Sequence, residues 1–369
     1  MNIYPKLILD ALEKVRYPGT GKNIVEMGMI EDDMRIEGNK VSFSILFEKQ
    51  NDPFMKSLVK AGETAILTYA GENIDIKGNI NIKTKPSPLP APLDLLPGVK
   101  NIIAISSGKG GVGKSTVAVN LAVALAKSGY KVGLLDADIF GPSIPKMFHA
   151  EEAKPYMERI GERELIAPIE QYGVKILSIG FFINKKDALV WRGTMASNAL
   201  KQLITDAHWG ELDYFLLDLP PGTSDIHLTL VQTLAVTGVV IVTTPQEVAL
   251  ADARKGISMF TGKKINVPVI GLVENMAWFT PAELPENKYY IFGKDGGKQL
   301  SEEMHIPLLG QIPIVGNICE GSDSGAPVAL NDSVTGEIFR LLAEKMVEQV
   351  EIRNKNLSVT KRVVAITKN

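Results

Sequence analysis

The sequence predicts an α/β chain with a doubly wound, mainly parallel sheet, preceded by a small α+β domain. Three observations carry this expectation. From Val99 onward, short and nearly continuous apolar runs alternate with helical patterns. Strands buried on both faces and joined by helical crossovers read this way. Before Val99, a shorter region mixes helical spacing with apolar–polar alternation. Between the two lie prolines at 86, 88, 90, 92 and 97, which fix φ, remove donors and predict an extended linker over 84–98. The length of 369 residues agrees with two to three domains.

In the first region, residues 1–83, Ile8, Ala11, Leu12 and Val15 recur at helical spacing and predict a helix over Pro5–Val15. Tyr17-Pro18-Gly19-Thr20-Gly21 breaks it. Val41–Phe47 reads as a strand and Pro53–Ala61 as a helix. Ile74–Ile82 alternates strictly and reads as a half-exposed strand. In the second region, 99–352, strands are predicted at Asn101–Ser106, Val132–Asp136, Tyr214–Leu219, Val239–Thr244, Val267–Val273 and Leu308–Ile312. Residues 353–369 read as a basic, partly β-branched tail.

Composition narrows the function classes. Forty basic residues against 42 acidic ones leave a net charge of -2, so no strong field favours nucleic acid or an anionic membrane, and neither is an expected partner. No run of about 18 apolar residues suggests a spanning helix. The N-terminus, with Asp10 and Glu13, lacks a secretory pattern. The single cysteine, Cys319, excludes an internal disulfide and an all-cysteine metal site within one chain. A cytoplasmic location is expected.

The chemistry concentrates in Gly108-Lys109-Gly110-Gly111-Val112-Gly113-Lys114-Ser115-Thr116, between a strand and a helix running to about Lys127. Gly108, Gly110 and Gly113 satisfy the dinucleotide pattern G-x-G-x-x-G, and Asp136 lies where such a site wants an acid. Gly108, Gly113, Lys114 and Ser115 also satisfy G-x-x-x-x-G-K-[ST]. The Lys-Ser pair decides between them. A phosphate loop needs backbone amides arranged in a ring, a cation for the outer phosphates and a hydroxyl for Mg²⁺. A pyrophosphate held by a dinucleotide turn needs neither lysine nor hydroxyl. A nucleoside triphosphate with Mg²⁺ is therefore the expected ligand.

Two further strand ends complete such a site. Phe215–Leu219 ends in Asp218, placed to support the metal shell, and is followed by Pro220-Pro221-Gly222, where Gly222 offers an amide to the γ-phosphate. Val132–Asp138 ends in two carboxylates, Asp136 and Asp138, spaced so that both lie on one side of an extended chain. Each acid alone also fits a solvated loop.

Together these segments resemble the deviant P-loop ATPases related to MinD and ParA, marked by a second lysine early in the loop, here Lys109. Within that group the chain resembles the Mrp branch, ATP-binding proteins implicated in carrying iron–sulfur clusters. The matching stretches are Asp136–Pro145, Trp191-Arg192-Gly193 with Met195-Ala196, Asp218–Asp225, Glu274-Asn275-Met276 and Gly310–Pro313. The first domain is similar to the unit often fused in front of Mrp proteins. The resemblance implies a homodimer that sandwiches two ATP molecules. Lys114 and the loop amides hold phosphate, Ser115 ligates Mg²⁺, and Asp136 and Asp218 stand at the metal. Asp138 positions water, Lys109 acts across the dimer, and Asn275 reads the adenine edge. It further implies slow ATP hydrolysis in iron–sulfur cluster assembly, with scaffold proteins and recipient apo-proteins as partners. The alternative is a positioning or partitioning ATPase.

The sequence departs from that pattern at one place. Mrp proteins that bind a cluster usually carry Cys-x-x-Cys after Glu-Asn-Met, whereas this chain has Thr280 and Glu283 there. Neither is a soft ligand that suits iron–sulfur iron. A homodimer brings two thiols, so a four-cysteine site of its own is not expected. Cys319 itself reads as a small buried hydrophobe. In the first domain, Asp52-Pro53 stands where some relatives have Cys-Pro. His149, His208, His227 and His305 show no metal spacing and read as ordinary surface or satisfied core residues. The tail's Lys355, Lys361, Arg362 and Lys368 suit a basic amphipathic segment, an edge strand or a frayed end.

Overall fold

A computed structural model describes residues 3–48, 52–84, 95–182, 193–263, 265–281, 283–284 and 286–359. The chain divides into two compact units, Met1–Leu93 and Asp94–Asn369. Most of the proline-rich stretch, Trp191-Arg192 and the end of the basic tail lie outside the described residues.

The first unit contains α1 (Pro5–Leu12), β1 (Arg35–Glu37), β2 (Lys40–Phe47), α2 (Met55–Tyr69) and β3 (Ile80–Thr84). β2 pairs antiparallel with β1 and parallel with β3. Ile8 and Leu12 of α1 and Ile66 of α2 share its core with Phe43, Ile45 and Phe47 of β2. Helix α1 stops before Val15, and α2 runs well beyond Ala61. The alternating stretch 74–82 is the clearest departure from expectation. Only Ile80–Thr84 forms a strand, and Ile74 and Ile76 are core residues in a turn region. Gly78, at φ +77, breaks the ladder there, so burial alternates without continuous strand pairing.

The second unit runs in the order β4 (Val99–Ser106), α3 (Lys114–Lys127), β5 (Val132–Asp136), α4 (Ile144–Met147), β6 (Met157–Ile160), β7 (Arg163–Ile166), β8 (Ile169–Gln171), β9 (Val174–Ser178), α5 (Gly193–Thr205), β10 (Leu212–Asp218), α6 (Asp225–Thr233), β11 (Gly238–Thr243), α7 (Glu247–Thr261), β12 (Val269–Glu274), α8 (Gly296–Glu303), β13 (Leu308–Gln311), α9 (Gly316–Ser324) and α10 (Val334–Asn356). Eight strands form one sheet in the order β13-β12-β11-β4-β10-β5-β9-β8. All neighbours are parallel except β8, which pairs antiparallel with β9 at one edge. β6 and β7 form a separate antiparallel pair.

The apolar runs explain the sheet. Every residue of β5, β11 and β12 is buried, as expected of strands covered by helices on both faces. α3 is buried from Val117 to Leu125, so it is held by packing rather than by a single amphipathic face. The edge hairpin β8–β9 and the pair β6–β7 were not predicted. Their strands are only three to five residues long, so alternation gives little signal. Helix α10 continues past the expected start of the tail at 353, because Arg353 is still buried and donates to the Ser358 carbonyl at 2.9 Å.

The chain order creates the site. From β4 the chain crosses to β5, leaving room for β10 between them, and later returns to lay β11 on the other side of β4. Loops at the carboxyl ends of these central strands therefore diverge. This reversal of direction is where open α/β sheets bind ligands.

Candidate active site

The residues 107–113 link β4 to α3 as a loop whose local geometry depends on glycine at two positions. Gly113 adopts φ +79, and a Cβ there would lie 2.2 Å from Asn275 Nδ2. A Cβ on Gly108 would lie 2.2 Å from the Asp252 backbone of α7. Any side chain at either position would displace the loop. No side chain caps the amides at the start of α3, so the helix N-terminus is left to bind an anion.

Strand register brings the acids together. Asp218 pairs with Asp136 across β10 and β5, and Asp136 pairs with Ser178 across β5 and β9. Lys114 Nζ lies 2.5 Å from Asp218 Oδ1 and 3.2 Å from Ser115 Oγ. Both partners of this ion pair are buried. Charges this buried persist only when compensated, so Lys114 and Asp218 sustain one another. The second oxygen, Asp218 Oδ2, is buried with no hydrogen-bond partner among the described residues. An orphaned carboxylate oxygen beside a serine hydroxyl fits a Mg²⁺ site, since hard divalent cations take oxygen donors.

Asp136 is fully buried. Its Oδ1 accepts from the Asp138 amide at 3.2 Å. Its Oδ2 accepts from Ser178 Oγ at 2.9 Å and the Ile144 amide at 3.3 Å. Burial and the neighbouring charge of Asp218 push its pKa up. Expected at the metal, Asp136 has both oxygens engaged by protein donors and organises the segment that carries Asp138. Asp138 lines the cleft, and burial, with Asp218 adding to it, raises its pKa while Lys114 opposes the rise.

A cleft of about 240 Å³ lies over the loop, lined by residues 109–116 together with Ser107, Asp138, Ser143, Met147 and Pro221. Thus Lys109, Gly110, Gly111, Val112, Gly113, Lys114, Ser115, Thr116 and Asp138 share one cavity. Ser143 and Met147 lie beyond any phosphate-loop pattern, and Ser178 is a lone serine ending a strand. Only the sheet order brings Ser178 to Asp136.

Two expected residues sit differently. Asn275 donates from Nδ2 to the Val112 carbonyl at 2.8 Å and is buried. Its amide nitrogen therefore braces the loop. Gly222, at φ +81, donates its amide to the Ser107 carbonyl at 2.9 Å, so that amide is engaged with the end of β4. Cys319 is exposed on α9, with its Sγ 3.8 Å from Asp323 Oδ2, contrary to the expectation of burial. Its helix has only Gly321 buried, so nothing draws the thiol inward. Trp191 and Arg192 lie outside the described residues, while Met195 is exposed and Ala196 buried. Among the described residues no three His, Cys, Asp or Glu side chains cluster as a metal site, and no helix is long and apolar enough to cross a membrane.

Comparison with known proteins agrees with this geometry. Residues 98–347 match the family described as NUBPL iron-transfer P-loop NTPase, and residues 6–76 match a family described as iron-sulfur cluster assembly protein. An iron-sulfur cluster carrier protein of Synechocystis is 40% identical over 94% of this chain and 97% of its own length. The iron-sulfur cluster transfer protein NUBPL of Dictyostelium discoideum is 45% identical over 70% of this chain and 79% of its own. A nucleotide-binding protein from Archaeoglobus fulgidus, solved with ADP, is 37% identical. It aligns with a TM-score of 0.56 over 66% of this chain and 93% of its own. With a phosphate loop, paired strand-end acids and a family match across most of its length, the chain belongs to the NUBPL iron-transfer P-loop NTPases.

Proposed function

We propose that this protein is an ATP-dependent iron–sulfur cluster carrier. It binds ATP with Mg²⁺ at the phosphate loop, hydrolyses it slowly as a homodimer, and passes clusters from an assembly scaffold to recipient apo-proteins. The observation that carries the nucleotide half is the buried Lys114–Asp218 pair with Ser115 beside it at the uncapped start of α3. Family membership across both units supports the cargo.

Lys114 and the loop amides bind the phosphates, and Ser115 Oγ with Asp218 holds Mg²⁺. The metal neutralises charge on the outer phosphates when bound. Asp138, at the cleft wall, orients the attacking water. Asp136 fixes Asp138 through its amide and so acts one layer behind the metal. Lys109 reaches the partner's nucleotide in the dimer. Turnover is slow because these groups are complete only when two chains meet.

The cluster is substrate here. One cysteine per chain gives two thiols per homodimer, so a four-thiolate cluster needs ligands from a donor or recipient. Transfer is tested anaerobically with a cluster-loaded scaffold and an apo-ferredoxin. ATP with this protein should accelerate appearance of the holo-ferredoxin visible spectrum. No acceleration by ATP, or equal acceleration by Lys114→Ala, refutes the carrier reading.

A further inference from the structure

His227 lies on α6, just beyond the loop that follows Asp218, and its side chain is fully buried. Its Nδ1 accepts from the Ser224 amide at 3.1 Å and lies 3.1 Å from Ser224 Oγ. Phe260 of α7 packs at 6.2 Å between ring centroids. Burial pushes the imidazole pKa down to about 4, so the ring is neutral near pH 7. Because Nδ1 accepts the amide proton, the ring proton sits on Nε2. That Nε2 makes no hydrogen bond of full geometry among the described residues, although the Pro220 carbonyl already lies close enough to act as its acceptor. Native proteins rarely bury a donor without an acceptor.

A second observation lies on the same loop. The Gly222 amide, which the γ-phosphate would require, donates to the Ser107 carbonyl at 2.9 Å. To serve the phosphate it must leave Ser107, and residues 220–222 must shift with it. Pro220 has no amide proton of its own, and its carbonyl, already at the ring, would move with them. The loop thus shows an amide in use elsewhere and a buried donor whose hydrogen bond is not fully formed.

We propose that His227 is a positioning residue for ATP hydrolysis: its Nε2–H completes its hydrogen bond to the Pro220 carbonyl when Gly222 turns from Ser107 to the γ-phosphate. The imidazole then spans the loop from Ser224 to Pro220 and holds Gly222 in the hydrolytic arrangement. His227 never touches the nucleotide. The inference rests on the phosphate loop being an ATP site.

The test compares His227→Leu and His227→Gln in the full chain. Leucine fills the space without a donor, whereas glutamine can accept from Ser224 and donate toward Pro220. His227→Leu is expected to lower kcat about tenfold, the worth of one hydrogen bond in the transition state, with KM and ADP affinity changed less than about twofold. His227→Gln should recover most of kcat. In the wild-type chain, nitrogen NMR of the histidine rings should show the His227 Nε2–H protected with Mg²⁺ and a non-hydrolysable ATP analogue but not with ADP. Unchanged kcat in His227→Leu, parallel loss of ADP binding and kcat, or a ring signal indifferent to the nucleotide overturns the proposal. A wild-type chain that binds neither ATP nor ADP instead refutes the nucleotide site itself, and this inference with it.

Discussion

At the scale of single residues, the Lys114–Asp218 pair dominates. Both charges are buried, so each is tolerable only because of the other. Lys114→Ala removes the phosphate cation and strands a buried carboxylate. Nucleotide binding should disappear, and stability should fall by about 3–5 kcal/mol. Isothermal titration with ATP and a denaturant melt measure the two effects separately. Asp218→Asn removes the proposed metal ligand and leaves the buried Lys114 without its counter-charge, so stability should fall by a comparable amount. ATP binding should persist while its dependence on Mg²⁺ weakens, as titration with and without the metal would reveal. Lys114, Ser115 and the glycines were legible in the sequence because a phosphate loop is a local motif. The partnership between Lys114 and Asp218 was not, because 104 residues separate them.

At the scale of elements, β12 supports the loop from beneath. Asn275, just past β12, donates to Val112, and its side chain occupies the space that a Cβ on Gly113 would need. Asn275→Ala strands the Val112 carbonyl and opens a gap under the loop. A loss of about 1–2 kcal/mol in stability and weaker ATP affinity are expected, measured by urea melts and titration. Unchanged affinity would argue that the loop is rigid without this brace. The family pattern singled out Asn275 but not its direction, which depends on how β12 sits beside the loop.

Helix α6 supplies a pH dependence. His227 has a folded pKa of about 4, below the ordinary histidine value of 6.5. The unfolded chain therefore takes up a proton first as pH falls, and the stability contributed by the neutral ring is lost between about pH 6.5 and 4. Asp136, whose pKa is raised, contributes with the opposite sign, so wild-type stability alone does not isolate the histidine. The difference between wild type and His227→Gln does. That difference should shift against the wild type by roughly 2–3 kcal/mol from pH 7 to pH 4.5 in parallel denaturant melts. A constant difference would show that the ring is protonated equally in both states.

At the scale of the whole molecule, the proposed unit of action is the dimer. ATP with Mg²⁺ should raise the sedimentation coefficient toward that of two chains, and ADP should not. Lys109→Ala should keep nucleotide binding but lose most hydrolysis if this lysine acts across the interface. Loss of binding in Lys109→Ala would place the lysine in its own site. The exposed Cys319 is also a whole-molecule matter, since no more than two such thiols meet in a homodimer. A cargo with four thiolate ligands must therefore be shared with another protein while it is carried.

The sequence by itself determined the class of fold, six of the eight strands of the main sheet, the phosphate loop and the acids at strand ends. These follow from local signals: apolar runs, glycine spacing and a lysine–serine pair. It misread 74–82 as one strand, because alternation reports which faces are buried and not whether a neighbouring strand is paired along the whole length. It also took Cys319 for a core residue on composition alone. Tertiary structure decided what each polar group is engaged with. Sheet order set Ser178, Asp136 and Asp218 on adjacent strand ends, turned Asn275 onto the loop, engaged the Gly222 amide with Ser107 and left His227 Nε2 without a fully formed hydrogen bond among the described residues. Hydrogen bonds act over about three ångströms between residues far apart in the chain, so their partners are fixed only when the strands are laid side by side.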